Sequence, residues 1–91
     1  MKYILVNFNE ETVNLSDARD AVAQFNVLVT AHKVGDPVGH FALYSDYHIL
    51  FGHTVELAHY RNGVVTITDA GRNYCGLGLD RHETKPVGLL D

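Results

Sequence analysis

Residues 55–68 decide the fold, and their sequence is Val-Glu-Leu-Ala-His-Tyr-Arg-Asn-Gly-Val-Val-Thr-Ile-Thr. Two β-forming segments flank the pair Asn62-Gly63. An Asn-Gly pair between such segments is the strongest short-range signal for a hairpin, because both residues accept the positive φ angles of a type I′ turn. We therefore predict a β-hairpin over residues 55–68, followed by a short helix that Thr68 caps and Gly76 ends.

The residues before the hairpin indicate a strand and a long helix. Residues 3–8 are rich in β-branched and aromatic types, which predicts an N-terminal strand. Ser16 is a suitable N-cap, and Gly35 followed by Pro37 is a typical stop signal, so we predict a helix over residues 16–33. Its apolar stripe has steps of three and four residues and consists of Ala18, Ala21, Val22, Phe25, Leu28, Val29 and His32.

Residues 41–51 fit two periodicities. Phe41, Tyr44 and His48 lie at helical spacing, whereas Tyr47 and its neighbours also alternate as in a strand. We favour a helix here. The strand is the alternative.

The order of these elements, with Thr68-Asp69-Ala70-Gly71-Arg72 after the hairpin, resembles the wing region of winged-helix proteins over residues 47–75. The resemblance implies a small α+β, winged-helix-like single domain in which Tyr44, Asp46, Tyr47 and His48 occupy the place of the recognition segment. The alternative is an α+β domain in which residues 3–8, residues 41–51 and the hairpin form one antiparallel sheet packed on the long helix.

The length and composition indicate one soluble domain. Ninety-one residues suffice for a single core, and we assign residues 1–75 to it and the Gly-rich, charged residues 76–91 to an extended C-terminal tail. The uncharged stretches are shorter than the roughly 18 apolar residues of a membrane span, and no signal peptide is recognisable. The lone Cys75 is typical of a reducing compartment, so we expect a cytoplasmic protein without membrane contact.

The charge distribution argues against nucleic acid as the partner. Seven Lys and Arg against eleven Asp and Glu give a net charge of -4, and residues 34–60 contain neither Lys nor Arg. Proteins that bind DNA depend on cationic contacts to phosphates. Arg61 and Arg72 are the candidate phosphate contacts, and two contacts are few for a DNA-binding domain.

No residue pattern indicates catalysis, a metal site or a cofactor. The six histidines do not follow the spacing of zinc or metalloprotease motifs. Ser45 lacks the glycines of a nucleophile elbow, and Cys75 is explained as a small apolar side chain. We therefore predict a protein that is not an enzyme and binds neither metal nor cofactor.

These observations favour a small acidic protein-binding module, a regulator or inhibitor that docks on a basic surface of a larger partner protein. Small proteins of phages and other mobile elements are often of this type, and a homodimer is compatible with the sequence. The expected partner-binding residues are Tyr44, Asp46, Tyr47 and His48, because tyrosine is enriched in protein interfaces. The alternatives are a winged-helix DNA-binding regulator and a histidine-based metal-binding protein.

Overall fold

A computed structural model describes residues 2–7, 12–35, 39–48 and 53–84. Over these residues the chain forms a five-stranded antiparallel sheet in the order β2-β1-β3-β4-β5 and one long helix, so the α+β class is confirmed. The elements are β1 (Tyr3–Asn7), β2 (Thr12–Leu15), α1 (Ala18–Gly35), β3 (His40–His48), β4 (His53–Arg61), β5 (Val64–Ile67) and a 3₁₀ helix (Ala70–Leu77). None of the described helices combines the length and apolar composition needed to cross a membrane.

The predicted hairpin is confirmed as β4 and β5. Asn62 and Gly63 connect the two strands with φ angles of 52° and 80°, which are the positive values that a type I′ turn requires. Thr68 also has its predicted capping role, because its hydroxyl accepts a hydrogen bond of 3.1 Å from the Gly71 N–H at the start of the 3₁₀ helix.

The predicted long helix is confirmed as α1, with a different N-cap. Asp17 caps it, since its Oδ1 accepts a hydrogen bond of 2.7 Å from the Arg19 N–H, and Ser16 lies one residue before the cap. The buried face of α1 packs on the sheet, and Phe25 contacts Phe41 edge to face at a centroid distance of 5.3 Å. The core therefore lies between α1 and one face of the sheet.

Residues 40–48 form a strand, so the helix predicted over residues 41–51 is wrong for this part. β3 lies between β1 and β4, where Leu43 pairs with Leu5 on one side and Ala58 on the other. These long-range pairings satisfy the backbone on both edges and outweigh the helical spacing of the aromatic residues. The arrangement matches the alternative in which the N-terminal strand, β3 and the hairpin share one sheet. Residues 49–51 lie outside the described part of the chain.

The segment after the 3₁₀ helix packs against the domain, so the predicted tail does not begin at residue 76. Leu79 is fully buried in the core, and the Asn26 side-chain amide donates a hydrogen bond of 2.8 Å to the Gly78 carbonyl. Thr84 pairs with Val65 on the outer edge of β5 through two hydrogen bonds of 2.9 Å. The apolar side chain of Leu79 explains this packing. Residues 85–91 of the predicted tail are not among the described residues.

Candidate functional site on the open face of the sheet

The sheet has one covered face and one open face. Helix α1 and the 3₁₀ helix contribute Phe25 and Tyr74 to the covered side, together with the buried Leu79. The opposite side, which we call the open face, contains a recess of about 380 Å³. Three residues of β3 and three of β4 line it: His40, Ala42, Tyr44, Glu56, His59 and Arg61.

Strand register explains the shape of the recess. Ala42 is nearly inaccessible at 2% exposure and lies opposite His59, while the larger pairs His40–Arg61 and Tyr44–Glu56 lie on either side of it. A small side chain between larger ones leaves a hollow, because neighbours on one face of a strand stand about 7 Å apart. Ala42 therefore forms the floor of the recess.

A β-bulge in β4 brings Glu56 and His59 to the same face. Residues three apart in a regular strand point to opposite faces. Here Leu43 pairs with Ala58 and the next residue, Tyr44, pairs with Glu56, so Leu57 is the extra residue of the bulge. Leu57 and Ala58 are both buried, whereas Glu56 and His59 are both on the open face. The bulge thus changes the side to which Glu56 points.

Glu56 and His59 form a hydrogen-bonded pair. The distance between His59 Nδ1 and Glu56 Oε1 is 2.7 Å, and each side chain is about one third exposed, at 35% and 33%. A carboxylate can only accept a hydrogen bond, so Nδ1 of His59 carries the proton in this contact. The contact fixes the orientation of the ring and leaves Nε2 as the other polar atom of His59.

Tyr44 and Arg61 supply two further hydrogen-bond donors. Burial raises the pKa of the Tyr44 phenol, and the neighbouring Glu56 carboxylate raises it further, so the hydroxyl stays protonated at neutral pH. Arg61 is exposed at the end of β4, and no carboxylate of the described residues lies within ion-pair distance of its guanidinium. The recess can therefore donate hydrogen bonds from a neutral phenol and a charged guanidinium.

The predicted partner-binding residues separate into different environments. Tyr44 lies in the recess. Asp46 has a structural contact, because its Oδ1 accepts a hydrogen bond of 2.7 Å from the Lys2 N–H and its own N–H donates to the Lys2 carbonyl at 3.1 Å. The backbones of Tyr47 and His48 belong to β3, and their side chains lie outside the described part.

The two predicted phosphate contacts are also separated. Arg61 borders the recess, whereas Arg72 lies on the 3₁₀ helix and donates two hydrogen bonds to the Glu83 carboxylate, at 2.8 and 2.7 Å. This fork connects the 3₁₀ helix to the segment that follows it. The guanidinium of Arg72 is therefore already paired with a carboxylate of the same domain.

His40, Glu56 and His59 are residues of the recess that sequence reasoning did not connect. Glu56 and His59 are three residues apart, a spacing that places them on opposite faces of a regular strand. The local sequence contains no glycine that would indicate the bulge. The available signal was the strand alternative for residues 41–51, which places Ala42 and Tyr44 on one face.

A second hollow of about 500 Å³ lies beside α1, on the opposite side of the domain core from the recess. It is mainly apolar, with Val27 66% exposed and Leu77 38% exposed. The side-chain amide of its buried polar residue, Asn26, already donates a hydrogen bond to the Gly78 carbonyl. This hollow offers shape and apolar surface, whereas the recess offers several donors and acceptors.

Within the described ranges, no group of three or more His, Cys, Asp or Glu side chains is placed to hold a metal ion. Comparison of the chain with protein-family models, curated proteins and solved structures finds no match. The candidate site therefore depends on the geometry of the open face.

Proposed function

We propose that this chain is a small protein-binding module, a regulator or inhibitor, and that it docks on a larger partner through the open face of its sheet. The observation that carries this proposal is the recess, in which Tyr44 and the pair Glu56–His59 surround the small Ala42. A tyrosine beside a hollow with polar groups is typical of the centre of a protein interface.

The remainder of the open face suits the same role. Ile4, Val6 and Val64 are only partly buried, and strand register places Ile4 and Val6 opposite Tyr44 and Ala42. An antiparallel sheet can leave one face to solvent, and such partly buried apolar residues lose their remaining accessible area when a partner covers them. They would form the apolar surround of the recess.

A face-on contact is favoured over strand addition at β5. The backbone of Val65 at the outer edge of β5 is already paired, since its N–H donates to the Thr84 hydroxyl and its carbonyl accepts from the Thr84 N–H. A blocked edge cannot extend the sheet with a strand from another chain. The open face is therefore the better docking surface on this side of the domain.

The winged-helix DNA-binding alternative has less support. It requires a recognition helix, whereas residues 40–48 form a strand, and Arg72 is paired with Glu83. What supports it is limited to the hairpin and the capped 3₁₀ helix after Thr68. We place the module in the cytoplasm, because its free thiol, Cys75, suits a reducing compartment.

The test is a photo-crosslinking experiment in extract of the source cell, with a crosslinking residue at position 66 on the open face and quantitative mass spectrometry of the products. Wild type is compared with Tyr44→Ala, which alters the open face, and Val27→Gln, which alters the exposed side of α1. We expect one protein to crosslink to wild type and Val27→Gln, with at least about a tenfold loss in Tyr44→Ala, the effect of a hot spot of about 1.4 kcal/mol or more.

Thermal unfolding of each variant verifies that the domain is intact. Equal crosslinking of wild type and folded Tyr44→Ala contradicts docking through the open face. Loss in Val27→Gln alone assigns docking to the hollow beside α1. A tight, salt-sensitive complex with duplex DNA at pH 7.5, lost in Arg61→Ala, would favour the DNA-binding regulator instead.

A further inference from the structure

We propose that the recess is an oxyanion site that receives the carboxylate of an Asp or Glu side chain from the partner. This inference rests on the proposed function and identifies the chemistry of the group that the partner inserts. It changes the expected partner surface, because the net charge of -4 suggested docking on basic residues. The recess itself contains one carboxylate, one guanidinium and two imidazoles.

Arg61 is the main ligand in this proposal. Its side chain is exposed at the edge of the recess, opposite His40 in the strand register, and the described carboxylates form no ion pair with it. A guanidinium presents two parallel N–H groups that match the two oxygens of a carboxylate. The ion pair of Arg72 with Glu83, elsewhere in the domain, has this geometry of two parallel hydrogen bonds, at 2.8 and 2.7 Å.

His59 is the second ligand, and Glu56 is its positioning residue. The 2.7 Å contact to Glu56 occupies Nδ1, so Nε2 is the ring atom that remains for an incoming group. When the imidazole is protonated, the charges of Glu56 and His59 cancel and Nε2 donates a hydrogen bond. The positive charge of Arg61 is then uncompensated within the recess, which favours an anion.

Tyr44 provides a neutral donor, and Ala42 provides the space. Burial keeps the phenol protonated, so Tyr44 can donate to an oxyanion without adding negative charge. Ala42 is the floor between the two larger cross-strand pairs. A volume of about 380 Å³ accommodates a carboxymethyl or carboxyethyl side chain together with part of its backbone.

The titratable groups that face the recess come from both contributing strands. They are His40 and Tyr44 on β3, and Glu56, His59 and Arg61 on β4. The neighbouring open-face residues of β1 and β5 that register places next to them, Ile4, Val6, Val64 and Thr66, do not titrate. Protonation of an imidazole adds positive charge to the recess, so anion binding should strengthen as the pH falls.

The test uses acetate as the probe, with inorganic phosphate and neutral acetamide in parallel, at constant ionic strength. Binding to the isotope-labelled domain is followed by NMR through the side-chain signals of His59 and Arg61. We expect saturable acetate binding in the millimolar range at pH 5.5, the strength of about one good charge-assisted contact, and no saturable response to acetamide. Arg61→Gln should reduce the affinity at least tenfold.

Arg19→Gln is the matched control, because Arg19 is also an exposed arginine but lies on α1. It should bind acetate as wild type does. Equal acetate affinity in Arg61→Gln and wild type overturns the proposal, and so does saturation by phosphate alone, which would identify a phosphate group as the natural ligand. If acetate does not bind while Tyr44→Ala still loses the crosslinked partner, the oxyanion site is refuted and the docking function stands.

Discussion

Replacement of Gly71 by alanine should unfold a large fraction of the molecules, because the 3₁₀ helix packs directly against the backbone of β4. A Cβ atom at this position would lie 2.0 Å from the carbonyl oxygen of Leu57 and 3.0 Å from Ile67 Cγ2. Since non-bonded heavy atoms are comfortable near 3.5 Å, the backbone at Gly71 or Leu57 must withdraw by about 1 Å or more.

The Leu57 carbonyl cannot move without weakening its hydrogen bonds. It accepts a hydrogen bond from the Thr68 N–H at 3.0 Å. It also shares the proton of the Thr68 hydroxyl with the Glu56 carbonyl, at 3.1 and 2.5 Å, and that hydroxyl in turn accepts from the Gly71 N–H at 3.1 Å. Two weakened hydrogen bonds at about 1 kcal/mol each, together with about 1–3 kcal/mol for overpacking, predict a destabilisation of about 3–5 kcal/mol. For a domain of this size, that is a large part of the total stability.

Urea unfolding monitored by circular dichroism measures this effect. Gly76→Ala is the matched control, because Gly76 lies in the same 3₁₀ helix and a Cβ there would have no atom within 4 Å. We expect the control to stay within about 0.5 kcal/mol of wild type or to gain about 0.4–1 kcal/mol from the lower entropy of its unfolded chain. A Gly71→Ala protein as stable as the control would refute the close approach of the helix to β4.

Two further predictions concern the core. Leu79→Ala should lower the free energy of unfolding in urea by about 2–5 kcal/mol, because Leu79 is fully buried, and an unchanged midpoint would mean that this segment detaches from the domain. Burial and the hydrogen bond to Tyr74 raise the pKa of Tyr3 to about 12, above the value of about 10 for an unfolded chain. The neutral Tyr3 phenol therefore stabilises the folded state fully below pH 10, and this stabilisation is lost as the pH rises towards 12. From pH 10 to pH 12, the free energy of unfolding in urea should therefore fall by up to about 3 kcal/mol less in Tyr3→Phe than in wild type. An equal fall in the two proteins would contradict the raised pKa of Tyr3.

Local signals predicted the elements that local chemistry determines. The hairpin follows from the φ angles that Asn62 and Gly63 accept, and α1 follows from the period of its apolar stripe. Local signals did not distinguish helix from strand for β3, because a strand here depends on pairing with β1, more than thirty residues away, as the pair Leu5–Leu43 shows. Aromatic residues at helical spacing also suit a central strand, so tertiary pairing decided between the two.

The recess was less accessible to sequence reasoning than the fold. Tyr44 and Arg61 were selected separately, one as an interface residue and one as a phosphate contact, and the register of β3 with β4 brings both to the same hollow. Asp46 is a predicted partner-binding residue and Arg72 a predicted phosphate contact, and each is bound within the domain, to the Lys2 backbone and to Glu83. Whether a charged side chain is available depends on such contacts, which composition does not reveal.

The bulge at Leu57 means that the recess depends on how β4 pairs with β3 as well as on the types of its residues. Without the bulge, Leu57 would pair with Tyr44 and Glu56 would turn towards the core, although every side chain of the recess would still be present in the sequence. A sequence with the same acid and histidine three residues apart therefore forms the recess only if its strand also contains the extra residue of the bulge.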